Sequence, residues 1–249
     1  MTSEFTSLYS HEFLRLAACV PRGGTADPDF AFEGTLRLAK RAEGEGAALA
    51  LFPELGLSSY AIDDLLLQDA LLDPVDRAID GLAQSSKALY PVLVVGAPLW
   101  RGGRLYNAAV VLHGGSILGA VPKAYLPNYR EFYERRHFYP GAGLTNAAIT
   151  VAGRTVPFGV DLLFRSNGSV PFTFNVEICE DIWVPLPPST RAAMAGAEAL
   201  LNLSASNITI GKVDMRRLLC RSHSARTVSA YAYAAAGPGE STTDLAWDG

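Results

Sequence analysis

The sequence predicts an α/β protein, and three observations carry that prediction. Residues 47–52 (AALALF) and 92–97 (VLVVGA) are short runs with no polar residue, the composition of strands covered on both faces. Stretches with helical caps and spacing flank them, so strand and helix alternate along the chain. A hydrophobic share of 49% against 18% charged, over 249 residues, supplies enough apolar surface for a large core.

Taken in order, residues 13–20 (FLRLAACV) read as a first strand. Asp27-Pro28 opens a helix, an N-cap acid followed by proline at the first helical position. It runs to about Gly44, with Phe32, Leu36 and Ala39 on one face. The strand at 47–52 ends at Pro53-Glu54. A helical region follows over 63–89, with a break expected near Asp73-Pro74, because proline removes an interior hydrogen bond. After the strand at 92–97 come strands at 105–112 and 116–121, joined by the turn His113-Gly114-Gly115. The chain then passes Pro122-Lys123 into a long aromatic and charged loop, 124–143. Residues 149–156 form a hairpin turning at Gly153, and 171–178 lead to Cys179. Pro187-Pro188-Ser189 opens a short helix to Gly196. A strand (198–203), a helix (213–228) and a last strand (231–236) complete the pattern. No repeat, linker or low-complexity block divides the chain, so one domain over 1–249 is expected. Residues 244–249 look like a turn into a further strand, so a fragment of a longer protein, lacking its last strands, is also expected.

The net charge of −4 gives no reason to expect nucleic acid or an anionic membrane as partner. No apolar run approaches the ~18 residues of a membrane span. The first residues carry an acid, Glu4, and no basic-then-apolar leader. Cys19, Cys179 and Cys220 are odd in number and far apart, neither a disulfide framework nor a metal cluster. A reducing, cytoplasmic compartment follows as an expectation.

The chemistry centres on Cys179, at the point where an apolar strand stops and the chain turns. A lone cysteine there also fits a small buried hydrophobe. Glu177, Glu180 and Asp181 beside it should raise the thiol pKa, so a nucleophile at this position needs a base and a cation from elsewhere. Glu54 and Lys123 each follow a strand and a proline. Either alone reads as a solvated surface charge. Together they place an acid, a cation and a thiol at strand ends, which in α/β sheets gather along the ligand-binding edge. Glu54 would shuttle a proton, Cys179 would attack, and Lys123 would stabilise an oxyanion. Such a set opens an amide or nitrile through a thioester and needs no metal or cofactor. His11, His113, His137 and His223 have no metal spacing, and His223, mid-helix, reads as a core or surface histidine. Arg216, Arg217 and Arg221 form a basic helical face, either solvated or salt-bridged, or else an interface or the wall of a pocket near Ser206.

These residues resemble the nitrilase superfamily of carbon-nitrogen hydrolases: Phe52-Pro53-Glu54-Leu55, Pro122-Lys123 with Tyr125-Leu126-Pro127, and Glu177-Ile178-Cys179-Glu180-Asp181. Finer motifs lie in residues 125–136 (YLPNYREFYERR), 202–207 (NLSASN) and 237–244 (GPGESTTD). They are similar to the N-terminal glutaminase domains of glutamine-dependent NAD synthetases. The resemblance implies an αββα sandwich of two mixed sheets between helices, with Glu54, Lys123 and Cys179 as a catalytic triad. It adds a supporting glutamate, placed at Glu134 with Glu131 as rival, and sets Tyr129, Glu180 and Ser206 around the α-groups of L-glutamine. The implied reaction is hydrolysis of the glutamine side chain to glutamate and ammonia. In the full enzyme that ammonia feeds an ATP-dependent synthesis of NAD from deamido-NAD. The resemblance assigns ATP and magnesium to the synthetase domain, which is expected to lie outside these 249 residues, so no cofactor is expected here. The expected partners are glutamine, that synthetase domain and further copies of the chain. The alternatives are an amidase or nitrilase for another small amide, and a non-catalytic, truncated assembly module.

Overall fold

The structure, a computed structural model, describes residues 6–240 and 245–249. Residues 1–5 and residues 241–244 of the GPGESTTD motif lie outside the described residues.

Apolar alternation builds two sheets. Strands β1 (Leu16–Ala18), β2 (Leu49–Leu51), β3 (Val92–Arg101), β4 (Arg104–His113), β5 (Ser116–Pro122), β6 (Ala147–Val151) and β7 (Arg154–Phe158) form one of seven strands, ordered β1-β2-β3-β4-β5-β7-β6. Strands β8 (Phe164–Ser166), β9 (Phe172–Ile178), β10 (Ala199–Ser204) and β11 (Ala230–Ala235) form one of four, ordered β11-β10-β9-β8. Both are mixed: β1, β2 and β3 run parallel, as do β5 with β7 and the set β9, β10 and β11, and the remaining pairings are antiparallel.

The period of two along a strand sends alternate residues into different cores. In β3, Leu93, Val95 and Ala97 join Ala39 of helix α1 (Pro28–Gly44) and Ile79 and Leu82 of helix α2 (Asp69–Ser85). Val92 and Val94 point the other way and join Phe174, Val176 and Ile178 of β9 and Leu201 and Leu203 of β10. The two sheets therefore share an apolar layer. Helices α3 (Pro188–Met194) and α4 (Lys212–Thr227) cover the outer face of the smaller sheet, α3 through Ala192 against Leu200 and α4 against β11. The layers run α, β, β, α, as the resemblance implied.

Local signals account for most boundaries. Asp27 accepts the Phe30 N–H at 3.0 Å and caps α1. Gly114 and Gly115 take φ of 57° and 86°, the left-handed pair that a two-residue hairpin turn requires. The first strand is shorter than the apolar run suggested, three residues instead of eight. The break expected at Pro74 is not there. A 3₁₀ turn (Asp63–Leu67) ends at extended Gln68, and α2 then passes through Pro74 without interruption. Pro74 lies early in α2, and the buried stripe of Leu71, Leu72, Val75, Ile79 and Leu82 continues across it. Burying that stripe outweighs the loss of one backbone hydrogen bond. Strand β8 was not foreseen, because three residues with one buried phenylalanine carry no periodic signal.

Candidate active site

Strand ends from both sheets meet at one place. β5 runs antiparallel to β4, and β4 antiparallel to β3, so β2, β3 and β5 share a direction. The turn after β2 and the residue after β5 thus emerge at the same edge. The Pro53-Glu54-Leu55 turn closes over β3 at Gly96. A Cβ there would fall 2.4 Å from the Leu55 nitrogen and 2.5 Å from the Pro53 oxygen, so glycine admits the turn.

Lys123 Nζ lies 2.6 Å from Glu54 Oε1 and 2.5 Å from Glu134 Oε1. An ammonium has three N–H bonds, so one remains for a substrate. Glu54 Oε1 also accepts Asn107 Nδ2 at 2.7 Å, and its Oε2 accepts the Ala205 backbone N–H at 2.7 Å. Ala205 directly follows β10, so this last bond ties the smaller sheet to the larger at the site. Cys179 follows β9, whose Ile178 pairs with Leu203 of β10. Its φ of 44° is left-handed, an uncommon conformation outside glycine and one that marks functional turns.

Burial sets the charges. Burial alone pulls the Lys123 ammonium down, but Glu134 and Glu54 outweigh it and hold the group well above the usual lysine range. Burial pushes the Glu134 carboxyl up to about 7, against the pull of Lys123. The Cys179 thiol is pushed above its ordinary range, first by burial and then by Glu54, with Glu134 adding to it and Lys123 opposing. The direction expected from the sequence holds, but its cause is different. Of the acids adjacent in sequence, Glu177 accepts the Ser189 N–H at 3.0 Å and the Tyr231 hydroxyl at 2.5 Å. Asp181 accepts the backbone N–H groups of Ile178 at 2.9 Å, Tyr125 at 2.9 Å and Ala124 at 3.3 Å. Asp181 thereby joins the turn bearing Cys179 to the turn bearing Lys123.

Cys179 opens on a cleft of about 490 Å³ that is also lined by Tyr129, Phe132, Glu180, Ser206 and Lys212. The Tyr129 hydroxyl donates to Glu180 at 2.9 Å. Burial raises the Glu180 carboxyl, and it lowers the Lys212 ammonium. Lys212 Nζ donates to Asn207 Oδ1 at 2.5 Å, and Asn207 Nδ2 donates to Glu131 at 2.8 Å.

Residues 15–238 match the sequence profile named carbon-nitrogen hydrolase. The chain belongs to that family. It is 56% identical over 245 residues to the glutamine-dependent NAD(+) synthetase of Mycobacterium tuberculosis, a match covering 98% of this chain and 36% of that protein. The corresponding protein of Mycobacterium leprae is 51% identical over 246 residues, 99% of this chain and 36% of the relative. The chain therefore spans little more than a third of the length of these curated relatives. Among solved structures, a glutamine-dependent NAD(+) synthetase from Cytophaga hutchinsonii superposes with a TM-score of 0.80 at 24% identity, over 90% of this chain and 36% of that one. An amidase from Nesterenkonia sp. gives 0.70 at 22% identity, over 95% and 80%. Both likenesses concern the fold.

Within this carbon-nitrogen hydrolase domain, Glu54, Lys123 and Glu134 form one buried group against which Cys179 is placed. Tyr129, Glu180 and Ser206 share the cleft. Glu131, the rival of Glu134, lies at the cleft wall instead, bonded to Asn207. Of the basic face on α4, Arg217 and Arg221 are exposed, whereas Arg216 is buried, donates to the Ser206 carbonyl at 3.1 Å and pairs with Asp248 at 2.9 Å; it lines a separate cavity with Cys220 and Tyr233 rather than the cleft of Cys179. His223 is a core residue, held 2.8 Å from the Ser189 hydroxyl. Sequence reading missed Asn107 and Lys212, and for Asp181 it missed the bonds that join the two turns. Lys212 lies six residues past Ser206 at the start of α4, and that proximity was the one available signal. No helix among the described residues is long and apolar enough to cross a membrane, and no group of metal-ligating side chains occurs among them.

Proposed function

We propose that this domain hydrolyses the side-chain amide of glutamine to glutamate and ammonia through a thioester on Cys179. In a longer protein the ammonia would supply a synthetase domain that makes NAD from deamido-NAD with ATP. One observation carries the substrate assignment: the cleft on which Cys179 opens holds both a carboxylate, Glu180, and an ammonium, Lys212. A free amino acid carries the complementary pair, and a simple aliphatic amide carries neither.

The steps follow from the charges. The thiol is protonated at neutral pH, so its proton passes to Glu54 as the sulfur attacks the amide carbon. The carbonyl oxygen gains the negative charge and meets the remaining Lys123 N–H. Collapse of the tetrahedral species breaks the carbon–nitrogen bond, and Glu54 returns the proton to the leaving nitrogen, releasing ammonia. Water, deprotonated by Glu54, then attacks the thioester; glutamate leaves and the thiol regains its proton. Glu134 balances Lys123 throughout.

The test compares kcat/KM for glutamine with that for acetamide and propionamide, with ammonia and product acid both measured. A strong preference for glutamine supports the assignment. Equal rates would mean a general amidase, and no ammonia from any amide would mean a non-catalytic module.

A further inference from the structure

Tyr60 precedes the 3₁₀ turn Asp63–Leu67, and none of the steps above uses it. Its hydroxyl donates to Glu134 Oε1 at 2.6 Å, and its ring faces Lys123 Nζ at 5.9 Å. Glu134 Oε1 thus accepts from Tyr60 and Lys123, while Glu134 Oε2 is buried and has no partner among the described residues. Among the described residues, one cation and one hydroxyl hold this carboxylate.

Tyr60 is fixed independently of Glu134. Its backbone N–H donates to Glu240 Oε2 at 3.1 Å. Its ring meets Phe132 and Trp247 edge-on, with centroids 6.5 Å and 6.3 Å away. The hydroxyl is therefore pre-positioned. We propose that Tyr60 is a positioning residue for the hydrolysis: its hydroxyl fixes the Glu134 carboxylate on Lys123, and so holds the ammonium at the reacting sulfur. The proposal rests on the hydrolysis reading above.

The physical need is plain. A buried carboxyl drifts towards its neutral form, and a neutral Glu134 no longer balances Lys123. The other titratable groups around Glu134 are few. Glu54 and Cys179 stand on the Lys123 side, and Glu131, Asp63, Tyr133 and His137 line a cavity of about 50 Å³ beside it. Glu54 opposes ionisation of Glu134, whereas the Tyr60 hydrogen bond favours it.

The experiment is Tyr60→Phe, which keeps the ring packing and removes only the hydroxyl. The acid limb of kcat/KM against pH should move up by about 1–2 pH units, the worth of one hydrogen bond to a charged group. Activity should recover at higher pH, and KM for glutamine at that pH should match the parent. The infrared carbonyl band of protonated Glu134, recognised by its absence in Glu134→Gln, should shift by the same amount. Turnover with an unmoved limb and band overturns the role of Tyr60 alone, and so does a rate that falls equally at every pH. Absence of turnover in the unsubstituted protein overturns the hydrolysis reading, and the positioning role with it.

Discussion

Lys123 and Glu54 are joined at 2.6 Å, and neither side chain exposes any surface. A buried ion pair is poor evidence of stabilisation, because desolvation offsets much of the attraction. Here a second carboxylate, Glu134, shares the same ammonium at 2.5 Å, so two anions face one cation away from water. Packing alone gives no reason for that arrangement. A site that must take up a proton and stabilise a negative charge does.

Lys123→Met should lower kcat by ~10²–10³-fold, the usual loss for one oxyanion donor. It should also lower stability, by about 3–5 kcal/mol at neutral pH, because two buried carboxylates lose their cation. Lys123→Arg should not restore the rate, since a planar fork does not fit the place of a compact ammonium. Turnover measurements and urea midpoints decide; a normal kcat would reduce Lys123 to a structural ion pair.

Glu180→Gln and Lys212→Met should each raise KM for glutamine by about 10–100-fold, the loss of one hydrogen bond to a charged group. Rates with propionamide should barely move. Equal losses on both substrates would show that these residues support the fold or the chemistry rather than recognise an amino acid.

The legible part of this site was what local turn chemistry announces. Glu54, Lys123 and Cys179 each follow a run of strand-forming residues, and two of them follow a proline. The illegible part is what bonds across the chain. Ala205 reaches Glu54 over 151 positions, and Asp181 reaches Tyr125 over 56. No periodicity encodes such pairs. The choice between Glu131 and Glu134 turned on three residues of an irregular loop, where side-chain direction has no rule. The layers of the fold were reached through resemblance, and apolar alternation accounts for them. Pro74 signals a break by its own chemistry, but the apolar stripe that spans it keeps the helix continuous.

Asp181→Asn should destabilise the protein by about 1–3 kcal/mol, because an amide NH₂ would face a backbone N–H that now has an acceptor. The same change should lower kcat, since Asp181 links the turns of Lys123 and Cys179. Loss of stability with an unchanged kcat would separate the clamp from the reaction.

Glu240 is buried, accepts the Tyr60 N–H, and is pushed up to about 8 by burial. The folded state therefore keeps a proton that the unfolded chain releases above about 4.5, the ordinary glutamate value. The associated stability is fully present below that value and is lost as pH rises towards 8. Glu240→Gln should flatten the fall in Tm between pH 5 and 8. An unchanged slope would place the titration elsewhere.

In the proposed hydrolysis, Cys179 carries the acyl group of glutamine. The most direct measurement is rapid acid quenching during turnover, followed by mass analysis of the peptide containing Cys179. A γ-glutamyl adduct on that peptide is predicted, with no ammonia release from Cys179→Ala. Ammonia release by Cys179→Ala at the parental rate, or turnover with no adduct on Cys179, would rule out the thioester.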